Sequence, residues 1–346
     1  MMETKSHENW SDGDLTRYVF EQISLKLLHN QSIHRAMTQV LHISDSSAYK
    51  KLNESVALSM PELALLVRHF QISLDTFLYG ATATVPMMFP PLTRTVNNPL
   101  DFLRHVAQVM RTTIERYPDG HLYDAVSDMP VYLFIRYPEL AAFKLFVWGR
   151  NTWGLDVLDV EKSPETLLND PDIRNASQEI LHWYHQIPST AFWTDSLLDN
   201  TLNQINYFLR TGVLTDQRFV KAVYDQLRLF LKDQQAAAQK GFKHLDGKES
   251  KAMSAEFDLY HNEIAHTSNT LLFVAFDTKI SLTTHDHPNF LITSDPAFTN
   301  HTHDWFKRVR NRAVLLSNSR EKQRKVFFDG LAKKIKVAEK MGQVIL

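Results

Sequence analysis

The stretch SDSSAYKKLN, residues 44–53, carries residue types that could read a nucleic acid. As a helix it places Ala48 and Leu52 on one apolar face, and Ile43 precedes it as an apolar plug. Hydroxyl and amide groups can bond to base edges, lysine reaches guanine or a phosphate, and tyrosine reaches a phosphate or a thymine methyl. We therefore predict that the other face contacts DNA. The predicted contacts are Ser44, Ser46, Ser47, Tyr49, Lys50, Lys51 and Asn53, with Arg35 and Gln39 reaching phosphates from the preceding helix.

Short helices on either side would position this stretch. An apolar stripe predicts a first helix, and a second is predicted to begin after the cap residue Ser32. Ser44 is predicted to cap the third helix after a three-residue turn. The spacing of Ser59 and Glu62 matches a capping box and predicts a fourth helix. A fifth is predicted over 73–80. A helix, a tight turn and a second helix form the geometry that inserts a helix into the major groove.

Residues 33–80, IHRAMTQVLHISDSSAYKKLNESVALSMPELALLVRHFQISLDTFLYG, resemble the lambda-repressor-like helix-turn-helix family of the xenobiotic-response-element type. The likeness rests on two apolar-serine landmarks, Ile43-Ser44 and Ile72-Ser73, and on the ending with Gly80. It covers about 70 of the 346 residues. The resemblance implies a five-helix DNA-binding domain that usually works as a dimer.

The chain departs from the family pattern at three places. His42 stands in the turn where the family often has glycine, and Thr38 stands where a small alanine is usual. Lys51 occupies the slot of the late apolar residue, which moves one place on to Leu52. These departures leave the predicted fold unchanged, but they affect which residues of the third helix would face the bases.

The charge of the N-terminal segment argues against simple electrostatic attraction to DNA. Residues 1–80 carry 7 basic and 9 acidic side chains, so their net charge is 7 − 9 = −2. Each phosphate contact adds roughly 0.9 to the salt slope on duplex DNA, so a monomer with few contacts should bind weakly. Two copies on half-sites about 34 Å apart would compensate, and we expect a homodimer. The alternative is a packed helical hairpin that contacts protein instead.

Histidines near the C-terminus are candidate metal ligands, since imidazole and carboxylate groups bind zinc or nickel. The candidates are His285, His287, His301 and His303. The simpler interpretation is a solvated turn followed by a solvated helix start. His261 and His266 approach a metalloprotease spacing, but on a helix they would lie about 140° apart, too far for one ion.

An aromatic block with an arginine is a candidate ligand pocket, because aromatic side chains commonly line such sites. Its residues are Trp148, Arg150 and Trp153. Residues of this kind more often close a core.

The sequence patterns in the rest of the chain predict mostly helices. We expect a helix-turn-helix domain over 1–80, a proline-rich linker over 81–99, and a helical dimerisation or sensor domain over 100–346 with a small antiparallel β-meander at 269–295. The predicted fold class is therefore mainly α. The segment 304–340 carries 12 basic and 4 acidic residues, a net 12 − 4 = +8, and predicts basic helices that are either solvated or near phosphate.

Composition bounds the function. The apolar fraction is 44% and the net charge is −1, as in an ordinary globular protein. The lack of cysteine excludes disulfides and thiolate chemistry. With no signal-peptide pattern, we expect a cytoplasmic protein outside the membrane. No hydrolase, Walker or dinucleotide motif occurs, so we expect neither an enzyme nor a cofactor.

Together these patterns favour a sequence-specific transcription regulator that responds to a small-molecule or peptide effector. The rival interpretation is a helical interaction module, such as an adaptor or anti-repressor, that does not bind DNA. A weaker rival is a metal-dependent hydrolase built on the C-terminal histidines.

Overall fold

The computed structural model of the chain divides into two compact units, residues 1–86 and 87–346. The described residues are 12–27, 32–70, 72–74, 77, 85–89, 97–155, 163–243, 254–264, 269–276, 278–286 and 288–345. The predicted fifth helix, 73–80, lies largely outside them. The boundary between the units falls within the predicted linker. Within the second unit, Met88 exchanges two backbone hydrogen bonds with Ile292.

The first unit is helical in its described residues. Its helices are α1 (Asp12–Lys26), α2 (Ile33–Leu41), α3 (Asp45–Leu52) and α4 (Met60–His69). The predicted caps are confirmed: Ser32 and Ser44 each accept a hydrogen bond from the backbone three residues on, and Ser59 forms a capping box with Glu62. The apolar stripes of the helices meet in one core. Its buried members are Val19, Phe20, Ile23, Met37, Leu41, Ala48, Leu63, Leu66 and Ile72.

The second unit combines helices with a sheet. Its helices are α5 (Pro99–Arg116), α6 (Val131–Phe134), α7 (Pro138–Asn151), α8 (Pro171–Tyr184), α9 (Asp199–Arg210), α10 (Gln217–Lys240), α11 (Pro296–Arg312) and α12 (Glu321–Ile345), with a 3-10 turn at Pro164–Leu167. Its strands are β1 (His121–Val126), β2 (Ser189–Trp193), β3 (Phe257–His261), β4 (Thr270–Val274), β5 (Lys279–Thr284), β6 (Phe290–Thr293) and β7 (Val314–Leu315). Within the described ranges, no helix has the length and sustained apolar character that a bilayer crossing requires.

The described strands form one seven-stranded mixed sheet in the order β6-β5-β4-β1-β2-β3-β7. Strands β1, β2 and β3 are parallel, and every other pairing is antiparallel. The prediction of a mainly α fold with only a small antiparallel meander is therefore wrong. The meander's three strands, β4 to β6, are one flank of a larger sheet built on a parallel centre.

The parallel strands lacked the alternation that reveals a half-buried strand. All five residues of β2, STAFW, are buried, as expected for a strand covered on both faces. Strand β1, HLYDAV, carries Asp124 at its centre, a residue type depleted from strands. The periodicity of such a short apolar run does not distinguish a buried strand from a segment of a buried helix.

The two faces of the sheet are covered differently. One face, with Leu122, Trp193 and Leu259 among its side chains, joins the large core made with most of the helices. The other face packs Phe192 and Tyr260 against Phe306 of α11. The parallel strands end level, because Val126 is paired with Trp193 and Trp193 with His261. We call this the carboxyl edge of the sheet.

A buried ion pair closes the carboxyl edge beside β1. The Nζ atom of Lys144, a fully buried α7 residue, lies 3.2 Å from a carboxylate oxygen of Asp128 and donates to Thr201 at 3.2 Å. Asn269, just before β4, accepts a 2.7 Å hydrogen bond from the backbone of Ser127. These contacts tie the loop after β1 to two helices and to the neighbouring strand.

A second buried polar group lies inside the sheet. Asp124 on β1 has no exposed surface, and the hydroxyl of Tyr132 donates to its Oδ2 at 3.2 Å. Burial raises the pKa of Asp124 to about 7, although the nearby charge of Lys243 and the Tyr132 hydrogen bond oppose that rise. Burial has the opposite effect on the amine of Lys243 and lowers its pKa, since it disfavours the charged form of both groups. The Nζ atom of Lys243 lies 3.5 Å from the centre of the Tyr184 ring.

Candidate nucleic-acid interface

The turn between α2 and α3 is built on His42. Its backbone is left-handed, with φ 53° and ψ 42°, at the position where the resembling family often has glycine. A side chain in this region costs about 1 kcal/mol, and histidine is among the residue types that tolerate it. Ile43 then packs against the core, and the Ser44 hydroxyl accepts from the backbone N–H of Ser47 at 3.3 Å. The sequence thereby starts α3 at a defined angle to α2.

One side of α3 is held by the core and the other is open. Ala48 is fully buried and Lys51 is 8% exposed, whereas Ser46, Lys50 and Tyr49 are exposed, Tyr49 by 64%. The outward face therefore presents a hydroxyl, an ammonium and a phenol together. We call Ser46, Tyr49 and Lys50 the polar face of α3.

Lys51 was predicted to contact DNA, but the structure places it 8% exposed with its ammonium turned toward α4. Its Nζ atom lies 2.8 Å from Oε2 of Glu62 and donates to the Ala57 carbonyl at 3.3 Å. Lys51 occupies the inward slot that an apolar residue fills in the family pattern, so its charge is turned toward α4. The signal was in the sequence, because the lysine stands in a core position with an acidic capping-box residue 11 positions later.

Glu62 links this ion pair to the cap of α4. Its Oε2 atom accepts from the backbone N–H and the hydroxyl of Ser59 as well as from Lys51. Burial opposes ionisation of this carboxyl, but the hydrogen bonds from Lys51 and Ser59 outweigh it and lower the pKa of Glu62. The C-terminal end of α3 is thus fixed to the N-terminal end of α4.

The ends of α3 have further contacts that sequence reasoning did not identify. His34 on α2 donates from Nε2 to the Asp45 carbonyl at 2.9 Å. At the other end, Arg17 of α1 pairs with Glu54 at 3.2 Å, which partly neutralises an acidic group beside the polar face. Asn53 is exposed, and its Oδ1 accepts from the backbone of Ser55 at 3.1 Å. Asn53 therefore also shapes the loop that leaves α3.

The remaining predicted contacts flank the polar face. Arg35 and Gln39 are exposed on α2, as phosphate contacts would need to be. Ser44 is exposed but occupied as the cap of α3, and the hydroxyl of Ser47 is half-buried, 3.0 Å from that of Ser44. Both serines therefore take part in starting α3, and the hydroxyl of the exposed Ser46 also lies 3.2 Å from that of Ser44.

The candidate metal ligands do not converge. His285 is exposed after β5, His301 is exposed on α11, and His303 is half-buried with its ring 5.5 Å from that of Tyr123. His287 lies outside the described residues. Within the part of the chain that the structure describes, no three histidine or acidic side chains are grouped to hold a metal ion.

The other two constellations lie in regular elements. Trp148 and Trp153 are buried and pack against Phe102, and Arg150 lies over the Phe146 ring at 5.7 Å. These residues close a core at the end of α7. His261 ends strand β3, so the helical spacing considered for His261 and His266 does not apply, and His266 lies outside the described residues.

Comparison of the chain with protein-family models, with curated proteins and with solved structures found no match.

Proposed function

We propose that this protein is a sequence-specific DNA-binding regulator of transcription, in which α3 enters the major groove. The observation that carries the proposal is the polar face of α3. Ser46, Tyr49 and Lys50 are exposed together while Ala48 and Lys51 anchor the opposite side. Serine and lysine at these positions can bond to base edges, and tyrosine can contact a phosphate or a thymine methyl.

The proposal includes a dimer. One copy of α3 offers few cationic groups, and the first unit as a whole has more acidic than basic residues. Phosphate contacts supply most of the affinity of a DNA-binding protein, so a second copy on an adjacent half-site would raise the affinity without a more basic surface.

Selection of binding sites from random duplexes at fixed salt tests this function. We expect the full chain to enrich a two-fold symmetric site. Lys50→Ala should cost about 1–3 kcal/mol and relax the preference at one base pair of each half-site. Arg68→Ala, which removes one exposed charge from α4, is the matched control and should retain the enriched sequence. Recovery of unselected sequences by the wild-type protein would refute the proposal.

A protein-contact module is the second candidate function. The observation that favours it is a set of exposed apolar side chains on α4 and the loop before it, with Val56 46%, Met60 75% and Leu65 49% exposed. Met60 and Leu65 are five positions apart on α4, about 140° around the helix, so they present apolar surface on two sides of it, as a helix between two partner segments would. If this function is correct, duplex selection yields no motif, and substitution of Met60 by a charged residue changes the association state of the chain.

A further inference from the structure

A cavity of about 550 Å³ lies beyond the carboxyl ends of β2 and β3, beside one face of α12. Small-molecule pockets in proteins typically have volumes of roughly 300–1,000 Å³. In sheets with parallel strands, ligands commonly bind outside the carboxyl ends of those strands. The second unit therefore has a space of suitable size in a suitable place.

One wall of the cavity is apolar. Leu316 follows β7, and Phe327 and Leu331 project from α12; all three are nearly or fully buried, and Val326 completes the wall at 67% exposed. A molecule that covered Val326 would remove apolar surface from water, which contributes about 25 cal/mol for each Å². The wall thus favours a ligand with an apolar group.

Gly330 widens the cavity from within α12. A Cβ atom added there would have nothing within 4 Å, so neither packing nor backbone conformation requires a glycine. A glycine inside a helix costs about 1 kcal/mol relative to alanine. Gly330 lines the cavity, so this loss of helix stability leaves additional space there.

The strand side of the cavity offers an incompletely bonded imidazole. The Nε2 atom of His261 lies 3.3 Å from Oδ1 of Asp195, but the direction of approach does not make a hydrogen bond, and this buried nitrogen has no other partner among the described residues. The ring is fixed against Phe327, with 4.6 Å between ring centres. An unsatisfied buried polar atom is costly, so the imidazole marks a polar strand side of the cavity.

Charges of both signs line the cavity. Lys334 is already neutralised, since its Nζ lies 2.6 Å from Asp199. Lys322 on α12 and Glu263 after β3 are exposed and form no ion pair within the described residues. A ligand therefore meets an acidic side formed by Asp195 and Glu263 and an ammonium on the helix side.

We infer that this cavity binds a small zwitterion with an apolar side group, as in an apolar α-amino acid. Its ammonium would lie toward Asp195 and Glu263, its carboxylate toward Lys322, and its side group against Phe327 and the space left by Gly330. A purely anionic ligand would face two carboxylates, and a purely cationic one would leave Lys322 without a counter-charge. This inference goes beyond the proposed DNA binding and does not depend on it.

Isothermal titration calorimetry on the full chain, without DNA, tests the inference with L-phenylalanine and L-leucine. We expect saturable binding of at least one of them. The matched probes 2-phenylethylamine and 3-phenylpropanoate each lack one charged group, and each should bind at least about tenfold more weakly than L-phenylalanine, because a charge-assisted hydrogen bond contributes about 1.5–3 kcal/mol.

Variants locate the binding. Lys322→Gln and Glu263→Gln should each weaken binding about tenfold or more. The controls are Lys333→Gln, on the same helix as Lys322 but outside the cavity lining, and Glu256→Gln, just before β3 at the opposite end from Glu263. Both residues are exposed, and both variants should leave binding unchanged. Gly330→Leu should abolish binding by filling the space, whereas Gly330→Ala should leave most of it.

The inference is overturned if neither amino acid binds at millimolar concentration. It is also overturned if 3-phenylpropanoate binds as tightly as L-phenylalanine, or if the two glutamine variants at the cavity bind like their controls. These two exposed positions keep the test decisive even if Gly330→Leu does not fold. Because no DNA is present, loss of the proposed DNA function would leave the result unaffected.

Discussion

At the scale of single residues, the ammonium of Lys51 is paired within the protein, whereas that of Lys50 is exposed to solvent. The two lysines are neighbours in sequence, but the 100° step of a helix turns one toward Glu62 and the other toward solvent. Lys51 replaces an apolar core residue, and its ammonium is satisfied by the carboxylate that also caps α4. The polar face of α3 depends on this internal contact for its position.

Lys51→Ala should destabilise the first unit by about 1–3 kcal/mol, because it leaves the half-buried Glu62 without its partner. Lys51→Met keeps the aliphatic volume and should cost less. Hydrogen exchange of the α3 and α4 amides in the full chain measures both effects. Unchanged exchange in Lys51→Ala, together with a shallower salt dependence of DNA binding, would place Lys51 on a phosphate instead.

The same contact has a defined pH dependence. The folded-state pKa of Glu62 is lowered, so its contribution to stability is present above its ordinary value near 4.5 and is lost as the pH falls through the folded value. The Lys51→Met, Glu62→Gln double variant should lack this loss. An equal acid sensitivity of wild type and double variant, followed by α3 amide exchange, would contradict the assignment.

Asp124 should act in the opposite direction within the second unit. Its folded pKa is raised from 3.8 to about 7, so the folded state binds its proton more tightly than the unfolded state. The contribution of Asp124 to stability is therefore full below pH 4 and declines as the pH rises toward 7. Relative to wild type, Asp124→Asn should gain on the order of 3 kcal/mol between pH 4 and pH 8. Denaturant unfolding across that range measures the gain, and a difference that does not vary with pH would exclude this role.

At the scale of elements, the sequence predicted local structure well and non-local pairing poorly. The caps Ser32, Ser44 and Ser59 act on backbone atoms a few residues away, so their types and spacing suffice to predict them. The paired residues of β1 and β2, such as Leu122 and Ser189, are 189 − 122 = 67 positions apart, and β2 carries no alternation, so their pairing depends on packing that no local pattern encodes. The cavity could not be predicted for the same reason. Its lining residues Asp195, His261 and Lys322 are far apart in sequence and are brought together by the sheet and α12.

The polar face of α3 shows the same division. Its outward orientation follows from helical periodicity. Lys51 was nevertheless predicted as a DNA contact, because its core position and the acidic Glu62, 11 positions later, were not considered together. Flexible charged side chains can lie in a core position when a partner is near, and that partner is on another helix.

The link between α7 and the loop after β1 can be tested as an element contact. Lys144→Ala leaves the carboxylate of Asp128 buried and without its cation, which should cost about 3–5 kcal/mol. Lys144→Met with Asp128→Asn removes both charges and should recover part of that loss. Thermal unfolding of the three proteins measures this. A single Lys144→Ala variant as stable as wild type would show that the pair is dispensable.

At the scale of the whole molecule, the proposed DNA binding would depend on local rather than overall charge. The chain has a net charge of −1, and its most basic segment lies in the second unit, within α11 and α12. A protein of this charge gains little from the general field of the duplex, so the proposed function assigns specificity to the polar face of α3, present in two copies. We expect few phosphate contacts and a correspondingly shallow salt slope of roughly 0.9 for each.

The most direct test of the central claim is the ratio of affinities of the full chain for a selected duplex and for its shuffled sequence at one fixed salt concentration. We predict a ratio of about 1,000 or more, as for specific DNA-binding proteins, and a fall of about tenfold or more in Lys50→Ala but not in Arg68→Ala. Equal affinity for the two duplexes would contradict the assignment of α3 as a base-reading helix.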